Sequence, residues 1–288
     1  MIKENYQKVL DNIRVEIGKI SEKYATKGQL TYAEMSKYNR LTSLQKSVAY
    51  ELNTLYSRNG SLTEIMAGIE YSESFYHHYY QINKSAGVDI NFGLLSPEQI
   101  KAAVENPLNK IALDGLKVNG LSGIKRVITQ GLIQGSSYQK MMKEIEQFFE
   151  SDYSRAERIV RTEGQRAAVK GSQAVYDDLE QKGVNIFQIW GSTLDDRTRA
   201  DHQFLDGKKK SENGWYVPGI GWVEGPLQSG VAEFDINCRC TVYPEIEGFP
   251  AKYRRIKGEG IKKYVDYNTY AKERGIKQYG VRTVRVKR

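Results

Sequence analysis

The sequence predicts a mainly α N-terminal region followed by a small α+β domain with short antiparallel strands and a basic C-terminal tail. Three observations carry that expectation. Apolar residues recur at helical spacing up to Lys182, the texture turns β-rich with Gly and Pro turns after Gly183, and positive charge gathers beyond position 250. At 288 residues the chain exceeds the usual single-domain length. The expected division is a helical region at 1–150, an α+β domain at 151–248 and a Tyr-rich basic tail at 249–288.

Two long amphipathic helices open the chain. Tyr6, Val9, Leu10, Ile13, Ile17, Ile20 and Tyr24 form one stripe, and Met35, Tyr38, Leu41, Leu44, Val48, Leu52 and Leu55 form another, with Asn59-Gly60 as its stop signal. A third run, Leu62, Ile65, Met66 and Ile69, leads into aromatic residues at 75–80. His77 and His78 in that stretch diverge by about 100° on a helix, so they read as packing or surface residues rather than joint metal ligands. Ser96 with Pro97 and Gln99 is a capping signature that starts another helix. Further helices are expected around Ile124, Val127, Ile128 and Leu132, then at Tyr138, Met141, Met142, Ile145, Phe148 and Phe149 after the Gly135-Ser136-Ser137 break. The last runs from about Ser154 to Lys182 and closes at Gly183. Its polar face, with Arg155, Arg158, Arg161, Glu163 and Arg166, reads as a solvated stripe.

Residues 184–190 then form a β-type run, Asp206-Gly207 signals a turn, and residues 215–222 read as two short strands about Pro218-Gly219. Cys238-Arg239-Cys240-Thr241-Val242-Tyr243 supplies another strand. From position 251 onward thirteen Lys/Arg face three Asp/Glu, while the rest of the chain is nearly neutral. Arg254, Arg255, Lys257, Lys262, Lys263, Arg282, Arg285, Lys287 and Arg288 are therefore the candidate nucleic-acid contacts, through phosphate and counterion release. Tyr253, Tyr264, Tyr267, Tyr270 and Tyr279 are candidates to stack on exposed bases. A solvated terminus, or an arm on an acidic protein partner, is the competing reading. No stretch approaches eighteen consecutive apolar residues and the first thirty lack a signal-peptide core, so neither a membrane partner nor secretion is expected.

Chemistry concentrates in two blocks. The segment from Trp190 to Gly207 and the segment from Asn237 to Thr241 hold both cysteines and one of the three histidines. Cys238 and Cys240 are poorly placed to bridge each other, which suits synthesis in a reducing compartment. Zinc would suit His202, Cys238 and Cys240, with Asp206 or Asp235 as the fourth ligand, although one Cys-x-Cys pair is weaker than paired Cys-x-x-Cys sets. Otherwise the thiols are small buried hydrophobes beside a hydrogen-bonded histidine. Asp195, Asp196, Arg197, Arg199, Asp201, His202 and Asp206 would be the site of an alternative function, a metal-dependent nuclease or toxin-like enzyme with His202 as general base. No second histidine lies nearby in sequence, and no G-x-S-x-G, P-loop or H-E-x-x-H is present, so no catalytic residue is assigned and no enzyme is expected.

Arg161-Thr162-Glu163, Trp190, Thr193-Leu194-Asp195-Asp196, Leu205-Asp206-Gly207-Lys208, Pro226 and Asn237-Cys238-Arg239-Cys240 together resemble the bacteriophage minor head, or head-morphogenesis, proteins of the Mu F type. The resemblance covers roughly 120–245, and the helical front is similar to the N-terminal region of such proteins in phages of Gram-positive hosts. It implies a low-copy virion component at the capsid interior or portal vertex, made in the bacterial host cytoplasm. Portal, capsid or scaffolding proteins and nonspecific double-stranded DNA would be its partners. Relatives carry Cys-x-x-Cys before the Asp-Gly turn and His-Pro-Asn before Cys-Arg-Cys; here Arg199, His202 and Asp235 stand there. Because a guanidinium cannot ligate zinc but pairs well with a carboxylate, an Arg199–Asp235 ion pair is expected to replace two ligands. Arg199, His202, Asp206, Asp235, Cys238 and Cys240 then form a structural clasp without a metal or other cofactor. Sequence-specific recognition is not indicated, since no helix-turn-helix or zinc-finger pattern appears.

Overall fold

Helix α1 spans Ile2–Tyr24 because five apolar side chains, Tyr6, Val9, Leu10, Ile13 and Ile17, share one stripe and are all buried. The computed structural model describes the chain except residues 27–28, 87–92, 135, 248–249, 257 and 277–288. Thr31 starts the short α2 (Tyr32–Ser36) by accepting from Glu34 N. A 3-10 turn at Lys37–Asn39 leads into α3, Arg40–Ala86.

Asn59-Gly60 does not end that helix. Asn59 is buried and its Oδ1 accepts from Asn5 Nδ2, while its carbonyl accepts from Thr63 Oγ1, so its side chain is drawn to a neighbouring helix instead of breaking its own. The Ser96 capping box forms as expected and starts α4, Pro97–Val104. Helix α5 covers Pro107–Ile133, and α6 runs unbroken over Tyr138–Gln181, where two helices were expected. The join holds because Asp152 turns inward, accepting from Tyr6 Oη (2.8 Å) and Tyr56 Oη (2.6 Å), and Ser154 Oγ donates back to Glu150 O. Neither side chain caps a new start. Gly183 then terminates α6 at φ +85°.

The chain divides into two compact units, each assembled from separated stretches. The first, Met1–Ile65 with Asn106–Val160, is all helical, with Ile13, Ile17, Met35, Leu52, Leu55, Ile124 and Ile145 in its core. Gly120 and Gly123 leave the space that Tyr56 and Phe148 fill. The second combines Met66–Glu105 with the chain from Arg161 onward. Here the strands are β1 (Ile186–Gly191), β2 (Trp215–Val217), β3 (Gly221–Val223), β4 (Thr241–Ile246), β5 (Tyr253–Ile256) and β6 (Gly260–Lys263). They pair antiparallel as β1–β4, β2–β3 and β5–β6, with Trp190 opposite Val242 and Tyr216 opposite Trp222. Short helices α7 (Ala200–Leu205), α8 (Ala232–Asp235) and α9 (Tyr267–Glu273) fill the connections. The core gathers Tyr79, Tyr176, Trp190, Trp215 and Phe234.

The described part of the basic segment is folded. Ile256, Tyr267, Tyr270 and Ala271 are buried with Leu194, and Asp266 caps α9 by accepting from Thr269 N. Tyr267 and Tyr270 are therefore closed to base stacking, contrary to expectation, because their rings complete this small core. Lys257, Tyr279, Arg282, Arg285, Lys287 and Arg288 lie outside the described residues. Among the described residues no helix is long and apolar enough to cross a membrane.

Candidate functional site

The loop after β1, the turn after α7 and the segment before β4 meet in the second unit. Asp206 is their common anchor. Its carboxylate accepts from Ser192 N (2.7 Å), Tyr267 N (2.7 Å) and both terminal nitrogens of Arg254 (2.7 and 2.8 Å). Gly207, at φ +75°, lets the turn fold back so that Gly207 N donates to Trp190 O and Trp190 N donates to Lys208 O. Arg254 also donates to the carbonyls of Ser192 and Val265. It is thus a framework residue with little surface left for a phosphate.

Asp195 anchors the opposite loop. It accepts from both terminal nitrogens of Arg239 (Nη2 at 2.8 Å), from Arg197 N and from Thr198 Oγ1. The Arg239 hydrogen bonds outweigh partial burial and hold the Asp195 carboxyl down at about 2. Thr193 Oγ1 donates to Arg239 O, and Tyr267 Oη donates to Asp195 O.

His202 is buried and stacks on Phe234, ring centroids 4.2 Å apart. Its Nε2 lies 3.0 Å from an Arg199 terminal nitrogen, and a guanidinium can only donate, so Nε2 accepts and the ring proton sits on Nδ1. Nδ1 faces Cys240 Sγ at 3.1 Å and Cys238 Sγ at 3.5 Å. The thiols diverge: Cys238 is pushed up by its hydrogen bond to Cys240 and by burial. Burial also pushes Cys240 up, but hydrogen bonds from Cys238 and His202 overcome it and hold Cys240 well below a free thiol.

The expected Arg199–Asp235 ion pair is not formed. Arg199 donates instead to Phe234 O and Ile236 O (2.9 Å), satisfying carbonyls left open at the end of α8. Asp235 turns to the preceding loop and accepts from Ser229 N (3.2 Å), Ser229 Oγ (2.9 Å) and Gly230 N (3.0 Å). Burial pushes its carboxyl up against these hydrogen bonds.

His202, Cys238 and Cys240 bring three potential zinc ligands within 4.8 Å of one another. The surroundings do not fit the ion. A neutral imidazole ligating through Nδ1 carries its proton on Nε2 and usually gives it to a carboxylate or carbonyl, yet here a guanidinium donor occupies that direction. Asp206 and Asp235, the fourth-ligand candidates, are engaged elsewhere. Asp195 and Asp206 are likewise held by Arg239 and Arg254, so the divalent-ion site of the enzyme reading does not assemble from them.

Among the candidate phosphate contacts, Arg255, Lys262 and Lys263 are exposed on the β5–β6 hairpin and have no ion pair among the described residues. Sequence reasoning passed over Ser192, whose backbone and hydroxyl join Asp206 to His202 O (2.6 Å), and the bond from Arg161 to Asn237 Oδ1. Arg239, quoted from the sequence only as part of the Asn-Cys-Arg-Cys motif, is exposed between the two buried cysteines in the extended segment just before β4.

Long helices thus lead to a small α+β module whose loops are stitched by two Arg–Asp forks and a His–Cys–Cys cluster. Residues 122–243 match the family model described as phage Mu protein F like protein. The chain is 30% identical over 275 residues to minor head protein GP7 of Bacillus phage SPP1, covering 92% of this chain and 89% of that protein. It is 28% identical over 217 residues to NAD(+)--arginine ADP-ribosyltransferase EFV of Enterococcus faecalis, covering 73% of this chain but 45% of that protein. No solved structure matches significantly. The chain belongs to the phage Mu F-like family of minor head proteins.

Proposed function

We propose that this protein is a head-assembly component of a tailed phage, located in the virion at the capsid interior or portal vertex. Its helical front docks on portal, capsid or scaffolding protein, and its basic C-terminal segment touches packaged double-stranded DNA without sequence preference. The observation that carries this reading is the state of the polar cluster: its two best-placed carboxylates, Asp195 and Asp206, are closed by arginine forks, which suits a rigid scaffold better than a reactive centre. Exposed Tyr50, Ile111, Val118 and Ile133 give the helical unit apolar surface for docking. Arg255, Lys262 and Lys263 supply exposed charge, to which the sequence at 277–288 adds more.

Mass spectrometry of purified virions and procapsids tests the assignment; absence of the chain from both defeats it. For the DNA contact, changing Arg282, Arg285, Lys287 and Arg288 to Gln should weaken salt-sensitive binding to random-sequence duplex. An enzymatic reading is favoured by one observation, the similarity to part of an ADP-ribosyltransferase. Under the scaffold reading, the purified protein leaves plasmid and RNA intact with magnesium or manganese; cleavage abolished by His202→Ala would favour a nuclease.

A further inference from the structure

Two adjoining cavities open beside the clasp, of about 430 and 250 Å³, sharing Arg197, Asn237, Cys238 and Arg239 in their walls. Arg161 lines the larger and Arg199 the smaller, so four arginines border the pair. No carboxylate lines either cavity among the described residues. Asp195, which pairs with Arg239 and more loosely with Arg197 at 3.7 Å, lies behind the wall.

These guanidiniums are not equivalent. Arg199 and Arg239 are fixed, the first by the carbonyls of Phe234 and Ile236, the second by its fork on Asp195. Arg161 and Arg197 are exposed; Arg161 has one side-chain acceptor among the described residues, Asn237 Oδ1, and most of its donors remain free. Asn237 itself adopts a left-handed backbone at φ +61° and lines both cavities. Four guanidiniums against one carboxylate, Asp195, leave an excess of positive charge around a concave, donor-rich wall, which makes an anion site. A carboxylate uses one guanidinium fork, as Asp195 does; several guanidiniums about one cleft match the larger acceptor array of a phosphate.

We propose that this arginine cleft binds phosphate, and that its source is the nucleic-acid backbone, giving the protein a DNA contact independent of its C-terminal charge. The assignment of DNA as the source rests on the proposed function; the phosphate chemistry of the cleft does not.

The test uses the full chain with Arg282, Arg285, Lys287 and Arg288 changed to Gln, and measures binding of random-sequence duplex across a salt series. Residual salt-sensitive binding is expected. Adding Arg161→Gln and Arg197→Gln should flatten the slope of log K against log salt by about two, one phosphate contact per lost charge, and Arg161→Lys with Arg197→Lys should largely restore it. Thermal melting of each variant confirms that the fold is retained. An unchanged slope after the two Gln substitutions overturns the inference and leaves the C-terminal contact standing; so does complete loss of binding on neutralising the C-terminus alone. Pyrophosphate titrated into the native chain separates the sources. Pyrophosphate binding that requires Arg161 and Arg197, without DNA binding, supports the phosphate site while sinking DNA as its occupant. Binding of neither overturns both, and displacement of duplex by polyglutamate as readily as by polyphosphate overturns the choice of phosphate.

Discussion

Asp206 and Arg254, 48 positions apart, form a forked ion pair with both side chains sequestered, the carboxylate 1% and the guanidinium 11% exposed. The pair is more than an isolated bridge, because Ser192 N and Tyr267 N complete the carboxylate's acceptors. It binds the β5–β6 hairpin to the loop after β1.

Breaking one side of this pair leaves an uncompensated buried charge. Arg254→Gln and Asp206→Leu should each lower unfolding stability by about 3–5 kcal/mol, measured by urea titration. Arg254→Lys keeps the charge but loses the fork, and should fall between them and the native chain. Equal stability of all four proteins would show that the pair contributes nothing.

Asp195 predicts an acid-side loss of stability. Its folded carboxyl is held at about 2 by Arg239, below the ordinary value of 3.8, so the folded state releases the proton more readily than the unfolded chain. The contribution is fully present above pH 3.8 and is lost as pH falls through about 2. Asp195→Asn should remove this component from the pH dependence of unfolding; an unaltered profile would contradict the assignment.

For the His202, Cys238 and Cys240 cluster, the donor set predicts stability without metal. Purified protein should contain well under one equivalent of zinc, and an excess of EDTA should leave the melting temperature unchanged. One equivalent of tightly held zinc would require Arg199 to release Nε2 of His202.

Two helical glycines should respond in opposite directions. A Cβ on Gly171 would press into the backbone oxygen of Tyr71, so Gly171→Ala should cost about 1–3 kcal/mol. Gly115 is exposed on α5 with nothing near its absent side chain, so Gly115→Ala should stabilise by up to about 1 kcal/mol. Thermal melts of the two variants check both signs.

Periodicity made the helices legible: the stripe from Tyr6 to Ile17 is buried, and Ser96 and Gly183 act as the cap and stop their residue types suggest. The β-run ending at Trp190 and the segment after Cys240 were also recognisable, although their pairing was not. Local signals failed where a distant partner outcompeted them. Asn59-Gly60 reads as a stop until Asn5 engages the side-chain oxygen of Asn59, and the interruption expected near Ser154 disappears once Tyr6 and Tyr56 draw Asp152 inward. The clasp residues were identifiable by type, but charge alone could not say that Arg199 would choose carbonyls over Asp235. Nor does any spacing rule connect Asp206 to Arg254.

The first unit closes only when Asn106–Val160 joins Met1–Ile65. On the ribosome, Ile13, Ile17 and Leu52 therefore emerge well before Ile124 and Ile145 exist to cover them. At roughly 5–20 residues per second, that delay is on the order of 5–20 seconds. Until then the apolar stripe of the first helices has no covering partner within its own unit, and the nascent chain carries it exposed.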